Sequence, residues 1–145
     1  MDMTCCDPAF GEMTYHHRWY KKQTIHMLGK EWNITVAAKA YSGKPITEEE
    51  RKSYCYFLEN EQEMVQVLHE KLVEYVNTYL HSPESSWSSI TSQEDLSSPM
   101  VMPKTLLFKQ DGTTLMLFDF LLDKDGGIAV QLTPEIAVGI QDCFL

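Results

Sequence analysis

The sequence lacks several features on which whole classes of protein function depend. Its 145 residues contain no apolar run near the roughly 18 residues of a membrane span, no GxSxG motif and no glycine-rich phosphate loop. The N-terminus has neither the basic flank nor the apolar core of a secretory signal. Four cysteines are present without a CxxC or disulfide-framework spacing: Cys5, Cys6, Cys55 and Cys143. We therefore expect a cytoplasmic, non-membrane protein with reduced, chemically passive thiols.

Positive charge is also scarce. Twelve Lys and Arg stand against 21 Asp and Glu, which leaves a net charge of −9. The imbalance begins at residue 47. Residues 1–46 contain six Lys and Arg and four Asp and Glu. Residues 47–80 contain three basic and eight acidic residues, and residues 81–145 contain three basic and nine acidic residues. This distribution disfavours binding to a nucleic-acid backbone and permits a basic protein as partner; the alternative is an acidic surface that only keeps the protein soluble.

What the sequence does contain is a long helical pattern from Thr47 to Leu80. Apolar side chains recur there on one side of a helix drawn at 100° per residue. These residues are Tyr54, Phe57, Leu58, Val65, Leu68, Leu72, Tyr75, Val76 and Tyr79. Thr47 and Glu50 have the spacing of a capping box, which marks the start of the helix. The pattern predicts one long α-helix, or two helices joined by a kink at residues 59–61.

Strand patterns flank this helix on both sides. Alternating apolar residues predict a strand from Met13 to Trp19, a turn at Lys21-Lys22, a second strand through Ile25 and a third strand over residues 32–40. These three strands form a meander. After the helix, eight serines in residues 82–98 predict a loop. The size and the 43% hydrophobic content predict a single domain over residues 1–145.

A hairpin is predicted around Asp111-Gly112, the dipeptide typical of a two-residue type I′ turn. That turn would place Phe108 opposite Leu115 and Leu106 opposite Leu117. Both faces of the second strand are then apolar, so the hairpin either lies in the middle of a covered sheet or uses one face for a homodimer. The fold class predicted is α+β, with a mainly antiparallel sheet (the N-terminal meander plus the C-terminal hairpin and strands) packed against one long α-helix.

Asp119 is the one charged residue on a predicted leucine-rich face of this hairpin. A carboxylate there must be paired, hydrogen-bonded or protonated. It is therefore a candidate buried polar centre, either as a structural group or as part of a small-ligand or enzyme pocket.

Metal sites are not indicated. Asp123 and Asp125 resemble part of a calcium loop, but the preceding ligand position holds Leu121 and a later glutamate is missing. His16 and His17 are neighbours on a predicted strand, so their side chains point to opposite faces and cannot share one zinc ion. We predict no catalytic residue, no cofactor and no metal.

Several motifs of the chain resemble a large bacterial family of unknown function. They are P-x-T-L-L-F-x-x-D-G from Pro103, L-x-L-F-D-F-L-L-D-x-D-x-G-I-A-V from Leu115 and V-G-I-Q-D-C-F-L from Val138, with F-G at Phe10 and W-x-I-T-V-A-A from Trp32. Where that family has Glu-His-Gly before the I-A-V strand, this chain has Asp125-Gly126-Gly127, so no role of the histidine carries over. Some of its small cytoplasmic members are classed as immunity proteins of polymorphic-toxin systems. The resemblance implies a binding role by association.

Together these observations lead to the expectation of a non-enzymatic binding protein, concretely an immunity-type inhibitor that covers a basic toxin with an acidic surface. The alternatives are a pocket protein organised around Asp119 and a dimerisation module. The candidate partner-binding residues are the acids on the polar side of the helix and at the C-terminal turn: Glu59, Glu63, Glu70, Glu74, Asp123 and Asp125.

Overall fold

The computed structural model describes residues 3–27, 30–40, 44–80, 101–120 and 125–144. The strands are β1 (Met3–Asp7), β2 (Gly11–Tyr15), β3 (Trp19–Met27), β4 (Lys30–Ala38), β5 (Val101–Phe108), β6 (Thr114–Phe120), β7 (Ile128–Thr133) and β8 (Ala137–Gly139). The helices are α1 (Glu48–Glu59) and α2 (Glu61–Leu80), and a 3₁₀ turn follows at Gln141–Cys143. The predicted serine-rich loop at 82–98 lies outside the described residues.

The eight strands form one mixed sheet in chain order, β1 to β8. Neighbouring strands are antiparallel except β4 and β5, which are parallel and pair Thr35 with Thr105 through Ala38 with Phe108. Parallel neighbours need a long crossover connection. The segment that contains α1 and α2 provides it, and it joins the N-terminal strands to the C-terminal ones.

The predicted sheet packed on one long helix is wrong, because the helical segment is two helices on an eight-stranded sheet. The first helix ends at Asn60, whose backbone (φ −119°, ψ 26°) leaves the helical region. Its side-chain Nδ2 donates to the Tyr56 carbonyl at 2.9 Å. Asparagine competes in this way for backbone groups and is a poor residue for a helix interior. Leu58, next to the last residue of α1, is 43% exposed and is therefore not part of the buried stripe.

The start of α1 and most of the apolar stripe agree with the sequence pattern. Thr47 Oγ1 accepts the Glu50 N–H at 3.3 Å, and Glu50 Oε1 accepts the Thr47 N–H at 2.9 Å, so the capping box is formed. The stripe residues that the structure buries are Tyr54, Phe57, Leu68, Leu72 and Val76. Burial of these side chains attaches both helices to one face of the sheet.

The N-terminal half has four strands rather than the predicted three. The turn expected at Lys21-Lys22 is wrong, because both lysines lie inside β3, which pairs with β4 from Trp19 to Met27. The reversal lies at residues 16–18, where His17 has φ 68°. Lysine fits a strand interior here because Lys21 Nζ donates to the hydroxyl of Tyr54 on α1 at 2.8 Å. Strand β1 lacks an alternating apolar pattern and was not predicted.

The hairpin between β5 and β6 exists, but its predicted register is wrong by one residue. The Gly112 N–H donates to the Lys109 carbonyl, and the loop therefore holds three residues, 110–112, with Gly112 at φ 92°. A type I turn followed by a left-handed glycine gives this arrangement. Leu107 consequently lies opposite Leu115, and Leu106 lies opposite Met116.

Apolar side chains are buried on both faces of the central strands. On the helix side, the sheet contributes Leu106, Phe108, Met116, Phe118 and Phe120 to the main core. On the other side, a smaller cluster contains Ala37, Leu107, Leu115, Leu117 and Ala129, with Tyr20 and Phe144 packed against it. These leucines are buried within the single chain. The hairpin therefore lies in the middle of a sheet that is covered on both faces.

A buried ion pair connects the β1–β2 turn to α1. Asp7 Oδ1 accepts a hydrogen bond from Arg51 Nε at 2.8 Å, and Asp7 Oδ2 accepts the N–H groups of Ala9 (2.9 Å) and Phe10 (3.0 Å). Burial alone would raise the pKa of Asp7, but these hydrogen bonds outweigh it and lower that pKa. The carboxylate therefore holds both the turn and the start of the helix.

Candidate functional site

The outer surface of the helices carries four of the predicted partner-binding residues. All four carboxylate side chains are exposed: Glu59 at the end of α1 and Glu63, Glu70 and Glu74 on α2. At 100° per residue, the three on α2 lie within about 60° of one another. We call these four residues the acidic stripe. The structure thus exposes all four, and the helical period puts the three on α2 on one side of that helix.

Few groups within the helix offset this negative charge. Lys71, the sole Lys or Arg in the sequence of α2, has its Nζ 3.3 Å from Glu74 Oε2. Gln66 Nε2 donates to Glu70 Oε1 at 3.3 Å. Both contacts are on the surface, where such interactions contribute little to stability. The side chains of Glu59, Glu63, Glu70 and Glu74 are exposed to solvent.

The break between the helices forms a shallow notch of about 380 Å³, which we call the break notch. Its lining residues are Leu58, Glu59, Asn60, Glu61, Gln62 and Glu63. Three of the six are carboxylates and none is basic. Leu58 provides an exposed apolar surface beside them. The notch therefore combines negative charge with an apolar contact surface.

A second depression of about 440 Å³ lies between β3 and α2, and we call it the β3–α2 cleft. Its strand side is formed by Thr24 and His26. Its helix side is formed by Glu61, Gln62, Val65, Gln66 and His69. His26 Nε2 lies 2.9 Å from Glu31 Oε1, and both side chains are exposed. His69 is buried, and desolvation lowers the pKa of its imidazole, which favours the neutral form.

The remaining candidate residues lie elsewhere. Asp125 is exposed in the turn before β7, while Asp123 falls outside the described residues. Within the described ranges, no three or more His, Cys, Asp and Glu side chains form a group that could hold a metal ion. The role of Asp123 and Asp125 as partner-binding residues therefore stays a prediction.

Asp119 is not the buried polar centre that the sequence predicts. Its side chain is 57% exposed, and Lys104 Nζ lies 3.6 Å from Asp119 Oδ2. The strand alternation does place it on the same face as Leu117, but it pairs with Met102 near the end of the hairpin, where solvent reaches it. A polar side chain at that position needs no buried partner.

The sequence pattern gives a kink at residues 59–61 as one of two alternatives, and the structure has its helix break there. It does not predict the two depressions, because these depend on how the strands and helices around the break are arranged in space. It also places Leu58 in the buried stripe, whereas the structure exposes this side chain.

None of the helices within the described ranges has both the length and the apolar character that a membrane span requires. Among known proteins, the model of a domain of unknown function matches residues 9–114 of the chain. Neither the curated proteins nor the solved structures give a match.

Proposed function

The chain belongs to the DUF6985 family, a domain of unknown function, and we propose that it is a non-enzymatic binding protein that holds a basic protein partner against its helical surface. The observation that carries this proposal is the acidic stripe: Glu59, Glu63, Glu70 and Glu74 are exposed together on one side of α1 and α2. Clustered surface charges of one sign steer an oppositely charged protein and select its orientation.

The most specific form of the proposal is that the protein is an immunity-type inhibitor, which acts in the cytoplasm and binds a bacterial toxin. Two observations support it. The motifs from Pro103 to Val130 resemble a bacterial family in which some small members are classed as immunity proteins. The net charge of −9 suits a basic partner. An inhibitor of this kind needs an accessible, strongly charged surface and no catalytic group.

The test is direct binding to the product of the neighbouring gene, measured by calorimetry at low and high salt. The variant carries Glu63→Lys, Glu70→Lys and Glu74→Lys. We expect it to weaken association by about tenfold or more and to flatten the salt dependence, because exposed charges act on association more than on stability. Thermal unfolding of the variant should stay close to that of the wild type.

The matched control carries Glu12→Lys, Glu135→Lys and Asp142→Lys, which make the same change in net charge at exposed positions outside the helices. It should weaken association much less than the stripe variant. Equal weakening by both variants would mean that the overall net charge alone determines the affinity. That result would contradict the role of the acidic stripe. If no neighbour-encoded protein binds the wild type, the immunity form of the proposal is wrong.

A further inference from the structure

The break notch and the β3–α2 cleft adjoin each other, because Glu61 and Gln62 line both, and we call the two together the groove. It runs from Leu58 at the end of α1 to the space between α2 and the strand residues Thr24 and His26. It is open to solvent along its length. A chain segment could therefore lie along it without a rearrangement of the helices.

Strand β3 presents an open edge to this groove. Its ladder with β2 pairs only Trp19 and Tyr20, whereas β3 continues to Met27. Within the described ranges, the residues of β3 beyond Tyr20 have a strand neighbour on the β4 side alone. Unpaired N–H and C=O groups along such an edge form a template for one more strand.

The side chains around the groove indicate what kind of segment would fit. Glu59, Glu61 and Glu63 supply negative charge, and among the described residues no Lys or Arg lines either depression. Exposed Leu58 and half-buried Val65 offer apolar surface for the aliphatic stems of long basic side chains. The charge and the apolar surface are therefore both complementary to arginine and lysine.

From these observations we propose that the groove binds an extended, basic segment of a partner protein as an added strand on the edge of β3. Backbone hydrogen bonds to β3 hold the segment, and its arginine or lysine side chains reach Glu59, Glu61 and Glu63. Strand addition of this kind obtains affinity from the main chain and specificity from alternate side chains. The inference rests on the proposed function and assigns the partner segment and its binding mode.

The test uses a short, capped peptide that alternates arginine and valine, titrated into the isotope-labelled protein and followed by NMR. We expect shifts at Thr24, His26 and residues 61–69. A peptide with glutamate in place of arginine should not bind. Binding of arginine amide as tight as that of the peptide would indicate a small-cation site and overturn the strand mode, and so would an absence of peptide binding.

N-methylation of the peptide, one residue at a time, tests the backbone contacts. If the peptide adds as a strand, methylation at every second residue removes an N–H that faces β3 and should weaken binding about tenfold. Methylation at the intervening residues should change binding by less than about twofold, because those N–H groups point away. A uniform response along the peptide would contradict strand addition.

Two matched double variants separate the groove from the general charge of the helices. Glu59→Gln with Glu61→Gln should weaken peptide binding by about tenfold, whereas Glu70→Gln with Glu74→Gln, the same change in charge outside the groove, should have an effect below about twofold. Leu58→Ala should weaken binding with an unchanged salt dependence.

Equal effects of the two double variants would overturn the groove while leaving the acidic stripe intact. If the neighbour-encoded protein binds and the groove variants do not change its affinity, the groove proposal is likewise overturned and the acidic stripe stays intact. Loss of all protein association in the wild type would instead remove the proposed function itself.

Discussion

Among single residues, Glu50 has the most unusual environment. Its Oε1 accepts hydrogen bonds from the Thr47 N–H (2.9 Å) and the Thr47 hydroxyl (3.0 Å). Its Oε2 is buried without a hydrogen-bond partner among the described residues. Burial raises the pKa of Glu50, and the hydrogen bonds from Thr47 and the charge of Arg51 only partly oppose this shift. The helix cap therefore contains a carboxyl that resists ionisation.

This raised pKa predicts a pH-dependent contribution to stability. A folded protein that holds a proton more tightly than the unfolded chain loses stability as pH rises from the unfolded value, near 4.5, through the raised folded value. The advantage of the wild type over Glu50→Gln should therefore shrink as pH rises through that window. Urea unfolding of both proteins at a series of pH values measures this difference in the free energy of unfolding. Glu49→Gln, at an exposed neighbour, is the control and should show no such trend.

Gly112 gives a second prediction for a single residue. With φ at 92°, it occupies a region that a β-branched residue adopts only at a cost of about 1 kcal/mol or more. Asp111 Oδ1 accepts the Thr113 N–H at 3.0 Å, a bond that asparagine can also make. Chemical denaturation should therefore show a larger loss for Gly112→Val than for Asp111→Asn. Similar losses would argue against the left-handed position of Gly112.

Of the secondary-structure elements, the helices depend on a few buried side chains. Leu68, Leu72 and Val76 are fully buried against the sheet, whereas Glu70 between them is exposed. Their four-residue spacing places these three side chains on one side of the helix, and Glu70 lies about half a turn away on the other side. The same helix thus presents its apolar side to the core and its acidic stripe to solvent.

Truncation of Leu72 should measure how strongly the helix is attached. We expect Leu72→Ala to reduce the free energy of unfolding by about 2 to 5 kcal/mol, because it leaves a cavity in the main core. Glu70→Ala, one half-turn away on the exposed side, should change it by less than about 0.5 kcal/mol. Denaturation midpoints that are the same for both variants would show that Leu72 is not buried in the main core.

At the scale of the whole molecule, the sheet has a rigid centre and short or weakly paired ends. Strands β5 and β6 are buried on both faces, while β8 has three residues, all half-buried. The parallel pair β4 and β5 joins the two halves of the chain, so the central ladders can open only when both halves separate. Stability should therefore be highest at the centre of the sheet.

Hydrogen exchange can check this distribution. Amides in β5 and β6, such as those of Leu106 and Met116, should exchange by global unfolding and be among the slowest in the protein. Amides of β8 should exchange faster through local opening. Protection of β8 equal to that of β6 would mean that the edge unfolds only with the core.

The sequence by itself determined the features that depend on neighbouring residues. The capping box of Thr47 and Glu50, the burial of Leu68 and Leu72, and a turn at Gly112 all follow from spacing within a few residues. The exposure of Glu63, Glu70 and Glu74 follows from the same helical period. Such patterns act through local geometry, so they can be predicted without knowledge of what the chain packs against.

Only the tertiary structure decided the features that depend on distant partners. The parallel pairing of β4 with β5, the placement of Lys21 inside β3 and the exposed position of Asp119 each depend on which strand lies alongside. The groove likewise needs the break at Asn60 to lie beside the open edge of β3. These contacts join residues far apart in the chain, and one residue of register changes which side chains meet, so local patterns could not predict them.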